Sequence, residues 1–239
     1  MGGNFFYIIF MLKHYFSLIL AASLFSGCVA IGIYDEDAIV KGKRYWEDGN
    51  GNSGNGNGNR GEEGEFIDER DGETYRQVTI GRQTWMAENL RYETSNTKCY
   101  DNDPYNCEIF GILYDWNTAN IICPDGWHLP NDDEWIALAN FVEKESGCSR
   151  CAGTKLKANS NFWVSGRGTD DWGFTALPGG YVRDYSFLEK GTVAAFWSKT
   201  AGTEYGSAHS RYFKNINSTL NLVGFYTDGS WAYIRCLKD

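Results

Sequence analysis

The most regular pattern of apolar and polar positions begins near Cys123. Pro124 to Gly126 has the composition of a turn, because proline fixes its φ and glycine accepts a positive one. Trp127 and Leu129 then alternate with a polar residue, which is the period of a short strand with one buried face. A strand that follows a tight turn is therefore predicted here.

A helix is predicted directly after this strand. The side chain of Asn131 can cap the first turn, and Glu134, three residues later, can accept a hydrogen bond from the backbone of the cap. Apolar residues then recur at i, i+3, i+4 and i+7, so one stripe of the helix is expected to be buried. These residues are Trp135, Leu138, Ala139 and Val142. The helix is expected to end near Lys144.

Shorter apolar runs predict strands on both sides of the helix. Tyr75–Ile80 and Gln83–Met86 form a predicted hairpin, and residues 109–119 fit either a strand or a short helix. Residues 147–184 are rich in glycine and are predicted to be mostly loop. Late strands are predicted at residues 193–199, 210–215, 222–227 and 231–236. The pattern indicates an α+β fold: a twisted antiparallel sheet with one main helix and much irregular coil.

The N-terminal segment resembles a bacterial lipoprotein signal peptide. Two apolar runs, residues 4–12 and 15–25, are separated by Lys13 and His14, and the second run ends in small residues before Cys28. The resemblance implies removal of residues 1–27 and a lipid on Cys28. The true start is predicted at Met11, which places the positive charge ahead of the apolar run. The alternative is an uncleaved membrane helix, which needs about 20 unbroken apolar residues.

Composition divides the rest of the chain into a tether and one domain. Residues 28–64 are acidic and then rich in Gly and Asn, with little to bury, and are predicted to form a flexible tether. Residues 65–239 are long enough for one domain with a substantial core. The net charge of −9 argues against nucleic-acid binding, and any membrane attachment is assigned to the lipid. Val29 is not acidic, so the outer membrane is predicted, on either its periplasmic or its outer face.

Six cysteines remain after Cys28, and an even number in an exported protein predicts disulfides. Fifteen pairings can be drawn. The spacing favours three pairs, namely Cys99 with Cys107, Cys148 with Cys151, and Cys123 with Cys236. The pair Cys148 and Cys151 could instead be redox active, but it follows the end of a helix, whereas a reactive thiolate favours a helix N-terminus.

Several short motifs, in order, resemble those of the Fibrobacter succinogenes major paralogous domain family. They include Trp85-Met-Ala-Glu-Asn-Leu90, Cys123-Pro-Asp-Gly-Trp-His-Leu-Pro130, Gly173-Phe-Thr-Ala-Leu-Pro-Gly-Gly180 and Arg235-Cys-Leu-Lys-Asp239. The family is similar to formylglycine-generating-type domains and, more distantly, to C-type-lectin-like folds, so the resemblance implies such a fold. It does not imply an activity. The generating enzymes use a late cysteine pair that binds copper, and here the late cysteine is Cys236 alone.

Candidate ligand sites are of two kinds. The oxygen-rich loops could bind calcium, with Asp101 and Asp103 as ligands, although such loops usually satisfy their own turns. Aromatic rings in the loop-rich half could stack on sugars, because a flat ring matches the C–H face of a pyranose. The alternative is that most of these rings fill a core with few aliphatic residues, with one or two of them exposed. The residues assigned to this second site are Asp170, Asp171, Trp172, Tyr185 and Trp197. No zinc site and no hydrolase triad is predicted.

The function predicted from the sequence is a lipid-anchored envelope module that binds polysaccharide or a surface protein. No catalytic residue and no cofactor is assigned, apart from the calcium hypothesis. Two alternatives stay open. One is an enzyme derived from the formylglycine-generating-type fold, dependent on redox or metal chemistry, and the other is a structural envelope component.

Overall fold

The computed structural model describes residues 61–239 as antiparallel sheets joined by short helices. The strands are β1 (Glu62–Ile67), β2 (Thr74–Ile80), β3 (Gln83–Met86), β4 (Trp127–His128), β5 (Tyr181–Arg183), β6 (Ser186–Leu188), β7 (Val193–Ala201), β8 (Ser207–Lys214), β9 (Leu220–Tyr226) and β10 (Leu237–Lys238). The helices are α1 (Pro104–Phe110), α2 (Trp116–Ala119), α3 (Asp132–Glu145) and α4 (Ala152–Leu156). The predicted signal peptide, Met11, Cys28 and most of the tether lie outside the described residues.

The largest sheet has the strand order β1-β2-β3-β10-β4. The predicted hairpin forms β2 and β3, with Val78 opposite Trp85. The last strand lies inside the sheet, because Leu237 pairs with Trp85 on one side and with His128 on the other. The end of the chain therefore joins the hairpin to the strand that precedes the main helix.

The first strand corrects the predicted boundary of the domain. The tether was expected to extend to Gly64, but β1 starts at Glu62 and pairs with β2 along its whole length, from Glu62 opposite Thr79 to Ile67 opposite Thr74. A run of polar residues with glycine carries no signal of burial, which is why the strand was not predicted.

Helix α3 confirms the capping box. The side chain of Asn131 accepts a hydrogen bond from the backbone N–H of Glu134, and the Glu134 carboxylate accepts one from the N–H of Asn131. Trp135 is fully buried on the predicted apolar stripe, together with Leu138 and Val142. Helix α3 is the only described helix with more than seven residues, which agrees with the prediction of one main helix.

The three-stranded sheet β7-β8-β9 lies between two apolar cores. Phe196 and Phe213 face the core that contains Trp135 of α3. Residues on the opposite face, such as Trp197 and Tyr212, belong to the second core. Both faces of the sheet are thus covered over β7 and β8, whereas Leu222 and Tyr226 of β9 are exposed.

Three segments differ from the sequence-based expectation. Residues 231–236 are extended but form only isolated bridges, such as Phe196 with Tyr233, because they pass between sheets rather than along one strand. The loop-rich stretch 147–184 contains α4 and β5. Residues 109–119 contain the end of α1 and all of α2, with bridging residues between them.

The fold class is therefore mixed, with antiparallel sheets and few helices, as the α+β prediction requires. None of the helices in residues 61–239 has the length and apolar composition of a membrane span.

Candidate binding surface

The structure contains the three disulfides favoured by the spacing. Cys99 is bonded to Cys107, Cys148 to Cys151, and Cys123 to Cys236. All six cysteines of the described part are thus paired. Cys151 directly precedes α4, a helix of five residues, and does not cap it through its side chain.

Two of the three aromatic residues predicted to bind sugar are buried, so this part of the prediction is wrong. Trp197 has no exposed surface, and its indole N–H donates to the backbone oxygen of Tyr114 at 2.7 Å. Trp172 is 4% exposed and packs against Phe141. Both rings fill the core, because aromatic side chains take the place that aliphatic ones hold in other domains.

The two acidic residues assigned to the same site make internal contacts. Asp170 accepts hydrogen bonds from the backbone N–H and the hydroxyl of Thr175, both at 2.8 Å. Burial raises the pKa of Asp170 to about 6. Asp171 forms an ion pair with Lys155 at 2.6 Å. The structure therefore assigns both carboxylates to loop stability and separates them from an exposed ring.

The calcium candidates also have local roles. Asp103 caps α1 by accepting a hydrogen bond from the backbone N–H of Tyr105. Asp101 lies 3.9 Å from the amine of Lys190. Within residues 61–239, no group of three or more His, Cys, Asp or Glu side chains is arranged to hold a metal ion.

Tyr185 is the predicted ligand-binding residue that is exposed, with 69% of its surface accessible. It lies in the two-residue turn of the β5–β6 hairpin, where Arg183 pairs with Ser186. Both turn residues are left-handed, with φ of 50° at Asp184 and 59° at Tyr185. Two-residue hairpins of this kind favour Asn-Gly, because a bulky side chain disfavours a positive φ. The positive φ of Tyr185 therefore strains the backbone at this turn.

Contacts on one side hold Tyr185 in place. Its backbone N–H donates to the oxygen of Gly229, and its hydroxyl donates to the carboxylate of Asp228 at 2.9 Å. This hydrogen bond raises the pKa of Tyr185 above its ordinary value. A Cβ atom at Gly229 would lie 2.9 Å from the tyrosine ring, so only glycine permits this approach.

A second aromatic ring lies beside Tyr185. The ring of Trp231 is half-buried, and its centre is 5.8 Å from that of Tyr185 at an angle of 57°. The Trp231 indole N–H donates to the backbone oxygen of Asn96 at 3.0 Å. The amine of Lys98 lies 4.6 Å from the centre of the Trp231 ring. We call Tyr185, Trp231, Lys98 and Asp228 the aromatic surface.

Trp231 was not among the residues predicted to bind a ligand, because it begins the strand predicted at residues 231–236. The sequence signal that could have pointed to Trp231 is Gly229, which lies between Asp228 and the predicted strand. A glycine here lets the ring of Tyr185 pack on the backbone. The partner ring comes from a hairpin more than forty residues earlier, and no local pattern connects the two.

A small cleft lies elsewhere in the domain, around the buried side chain of Arg235. The guanidinium of Arg235 donates to Asn89 and to the backbone oxygens of Met86, Phe174 and Thr175. Burial lowers the pKa of Arg235 to about 9. The cleft has a volume of about 10 Å³, which admits one water molecule and no organic ligand.

The Arg235 contacts join three of the motifs quoted above. They connect Trp85–Leu90, Gly173–Gly180 and the motif that starts at Arg235, which lie far apart in the sequence. Every polar nitrogen of Arg235 is engaged, so this cluster holds the domain together and leaves no group for a substrate.

Both histidines of the described chain contact the first turn of α3. His128 bonds to Glu134 at 2.9 Å through Nε2 and to Asp239 at 2.6 Å through Nδ1. Burial opposes protonation, but these two carboxylates raise the pKa of His128 overall. His209 bonds to Asp132 at 2.5 Å.

Asp132 is the centre of the second histidine contact, and its geometry differs from that of a hydrolase. One oxygen of Asp132 accepts from the hydroxyl of Ser198 at 2.7 Å, and the other bonds to His209. A catalytic triad needs the histidine between the serine and the acid. Here the acid lies between the other two, so Ser198 is not hydrogen-bonded to the histidine that a triad requires.

A family model described as the Fibrobacter succinogenes major domain matches residues 78–238. This span runs from β2 to β10 and includes the Arg235 cluster, the aromatic surface and all three disulfides. No curated protein and no solved structure matches the chain. Because the matched span is more than half of the 239 residues, the chain belongs to the Fibrobacter succinogenes major domain family.

Proposed function

We propose that this chain is a lipid-anchored protein of the bacterial outer membrane whose domain binds polysaccharide at the aromatic surface. The observation that carries the proposal is the exposure of Tyr185 in a strained turn beside Trp231. Strained backbone persists only where the surroundings hold it, and it concentrates at functional sites. Here Asp228 and Gly229 provide the contacts that hold it.

The chemistry of the surface suits a sugar. A tyrosine ring offers a flat apolar face for the C–H groups of a pyranose, and a polar tip at its edge. Asp228 can accept hydrogen bonds from sugar hydroxyls, and Lys98 can donate to them. Since the ring of Tyr185 is already fixed, binding does not have to order it, which lowers the entropic cost.

The anchor and the tether supply the rest of the proposal. A lipid on Cys28 would hold the protein at the membrane, and a Gly-rich linker of this length spans about 30 Å on average. The domain can then reach a polysaccharide beyond the lipid headgroups. Within this proposal the fold is of the C-type-lectin-like or formylglycine-generating-type class.

The alternative is an enzyme of the formylglycine-generating-type class. Such chemistry needs a reactive thiol or a metal, and the described cysteines are all in disulfides. A count of free thiols in denatured, unreduced protein distinguishes the two. We expect none in the domain, and two or more labelled thiols would favour the enzyme.

Binding is tested with the full chain carrying Cys28→Ser, applied to microcrystalline cellulose and to a glycan array. Tyr185→Ala should weaken retention on at least one polysaccharide by tenfold or more. The matched control is Tyr205→Ala, which removes a fully exposed tyrosine from the β7–β8 turn. Equal binding by both variants and the parent, or no retention on any glycan, would overturn the assignment.

A further inference from the structure

Strand β9 is an outer strand that the rest of the described domain leaves unpaired on one side. Its sheet has the order β7-β8-β9. The other outer strand, β7, is covered, because Gly180 donates to the oxygen of Val193 and Tyr233 donates to that of Ala195. Within residues 61–239, β9 pairs with β8 alone.

The hydrogen bond at the end of the β8–β9 pairing shows which backbone N–H and C=O groups of β9 point away from β8. The N–H of Thr227 donates to the oxygen of Gly206 on the β8 side. Antiparallel residues alternate between facing the partner strand and facing away. The residues whose N–H and C=O groups point away from β8 are therefore Leu220, Leu222, Gly224 and Tyr226. These groups form a template for another strand.

The side chains of β9 do not protect this edge. Leu220–Tyr226 contains no charge and no proline, and Leu222 and Tyr226 are 50% and 60% exposed. The outer strand of the other sheet differs, because β1 carries Glu62, Glu63 and Glu65. Natural proteins use charges of this kind to prevent association of sheet edges.

Charge also favours a second copy of this chain as the binding partner of the β9 edge. Two copies of a chain with net charge −9 repel each other, and three glutamates would oppose three others at a β1 contact. At a contact between two β9 strands, neither strand places a charged side chain opposite the other. An acidic chain can therefore meet itself at this edge without placing like charges on facing strands.

We propose that two copies of this protein associate through β9, antiparallel and centred on Val223, to form a continuous six-stranded sheet. In this register Leu222 of one copy faces Gly224 of the other. A Cβ atom at Gly224 would meet no atom within 4 Å, so there is room for the leucine. The register also pairs Leu220 with Tyr226, so the whole strand is used.

A cysteine at the symmetry centre tests the register. In full chain carrying Cys28→Ser, kept in non-ionic detergent, Val223→Cys should form an intermolecular disulfide on mild oxidation. Facing residues of this type have Cα atoms about 4.5 Å apart, within the range of a disulfide. Asn221→Cys is the matched control, because its two copies would lie four residues apart, about 14 Å. Cross-linking of both variants, or of neither, would overturn the proposed register.

Light scattering tests the association itself. The parent should have the mass of a dimer at tens of micromolar, and the dimer should be stronger at 0.5 M than at 0.05 M NaCl, because salt screens the repulsion. Leu222→Lys should give a monomer with an unchanged circular dichroism spectrum. Ile216→Lys, which places the same charge at a more exposed apolar residue outside the strand, should leave the dimer intact. A monomeric parent, or a dimer that survives Leu222→Lys, contradicts the proposal.

Discussion

Cys123 is joined to Cys236 by a disulfide although 113 positions separate them, and their Cα atoms lie 5.9 Å apart. The bond ties the turn before β4 to the residue that precedes β10. These two strands are neighbours in the largest sheet. The disulfide therefore reinforces a contact that closes nearly half of the chain into one loop.

Removing the Cys123–Cys236 disulfide should lower the free energy of unfolding more than removing Cys148–Cys151, which closes a much shorter loop. The chain-entropy model gives about 5 kcal/mol for a loop of this length and about 2 kcal/mol for a loop such as Cys148–Cys151. Domains of this size lose roughly 2–4 °C in melting temperature per kcal/mol. Replacement of Cys123 and Cys236 by Ala should thus lower the melting temperature by roughly 6–12 °C more than replacement of Cys148 and Cys151. Scanning calorimetry measures the difference, and equal shifts would show that the long loop is constrained by other contacts.

Because the turn at Asp184 and Tyr185 is strained, relieving the strain should raise stability while it abolishes binding. Asp184→Asn with Tyr185→Gly produces the pair that two-residue hairpins favour, and the gain should be about 1 kcal/mol. The same double variant should lose polysaccharide binding, because the exposed ring is gone. Thermal melts and retention on cellulose are measured on the same samples. A loss of both stability and binding would mean that the ring contacts of Tyr185 outweigh the strain.

His128 should make stability depend on pH near neutrality. Its pKa is raised in the folded state, so its contribution is complete below the ordinary value of 6.5 and is lost as the pH rises through the folded value. His128→Gln removes this dependence, because glutamine does not titrate. Melting temperatures from pH 5 to 9 should therefore converge for parent and variant at the alkaline end. Parallel curves would show that Glu134 and Asp239 do not stabilise the charged ring.

Asp170 should make stability depend on pH at more acidic values than His128 does. Its pKa rises from 3.8 to about 6 on folding, so the folded state binds a proton that the unfolded state releases. Stability from this group is complete below pH 3.8 and falls as the pH rises to about 6. Asp170→Asn should flatten the melting curve between pH 4 and 6. Asp171→Asn is the control, since Asp171 is paired with Lys155 at the surface.

Arg235 should be among the least replaceable residues. Arg235→Met preserves most of the volume but leaves the oxygens of Met86, Phe174 and Thr175 without their donor, at a cost of about 3 kcal/mol or more. Urea unfolding at pH 7 measures the loss. Arg167→Met, at an exposed position, should change the free energy of unfolding by less than about 0.5 kcal/mol. A small loss at Arg235 would mean that water replaces the guanidinium.

Local chemistry was predictable from the sequence where neighbours in the chain are neighbours in space. The capping box of Asn131 and Glu134 and the hairpin of β2 and β3 both depend on residues within a few positions of one another. The cysteine pairs were also predictable, because the spacing favours two local pairs and these leave Cys123 to bond with Cys236.

Burial of single aromatic residues was not predictable in the same way. Trp172 and Trp197 lie in a stretch whose composition fits either core or ligand contact, and only the tertiary packing places them inside. The aromatic surface also depends on tertiary structure, because Tyr185 and Trp231 come from different elements. The Arg235 cluster joins residues almost 150 positions apart.

The position of β10 between β3 and β4 affects how the molecule can be made. A nascent chain that lacks residues 235–239 has neither this inner strand nor Arg235 and Cys236 just before it, so its largest sheet stays in two pieces. In the exported protein proposed above, the polypeptide would therefore stay unfolded, and able to pass through a translocation channel, until residues 235–239 have been made. Ribosomal stalling or truncation a few residues early should leave a protease-sensitive product, rather than a nearly complete domain.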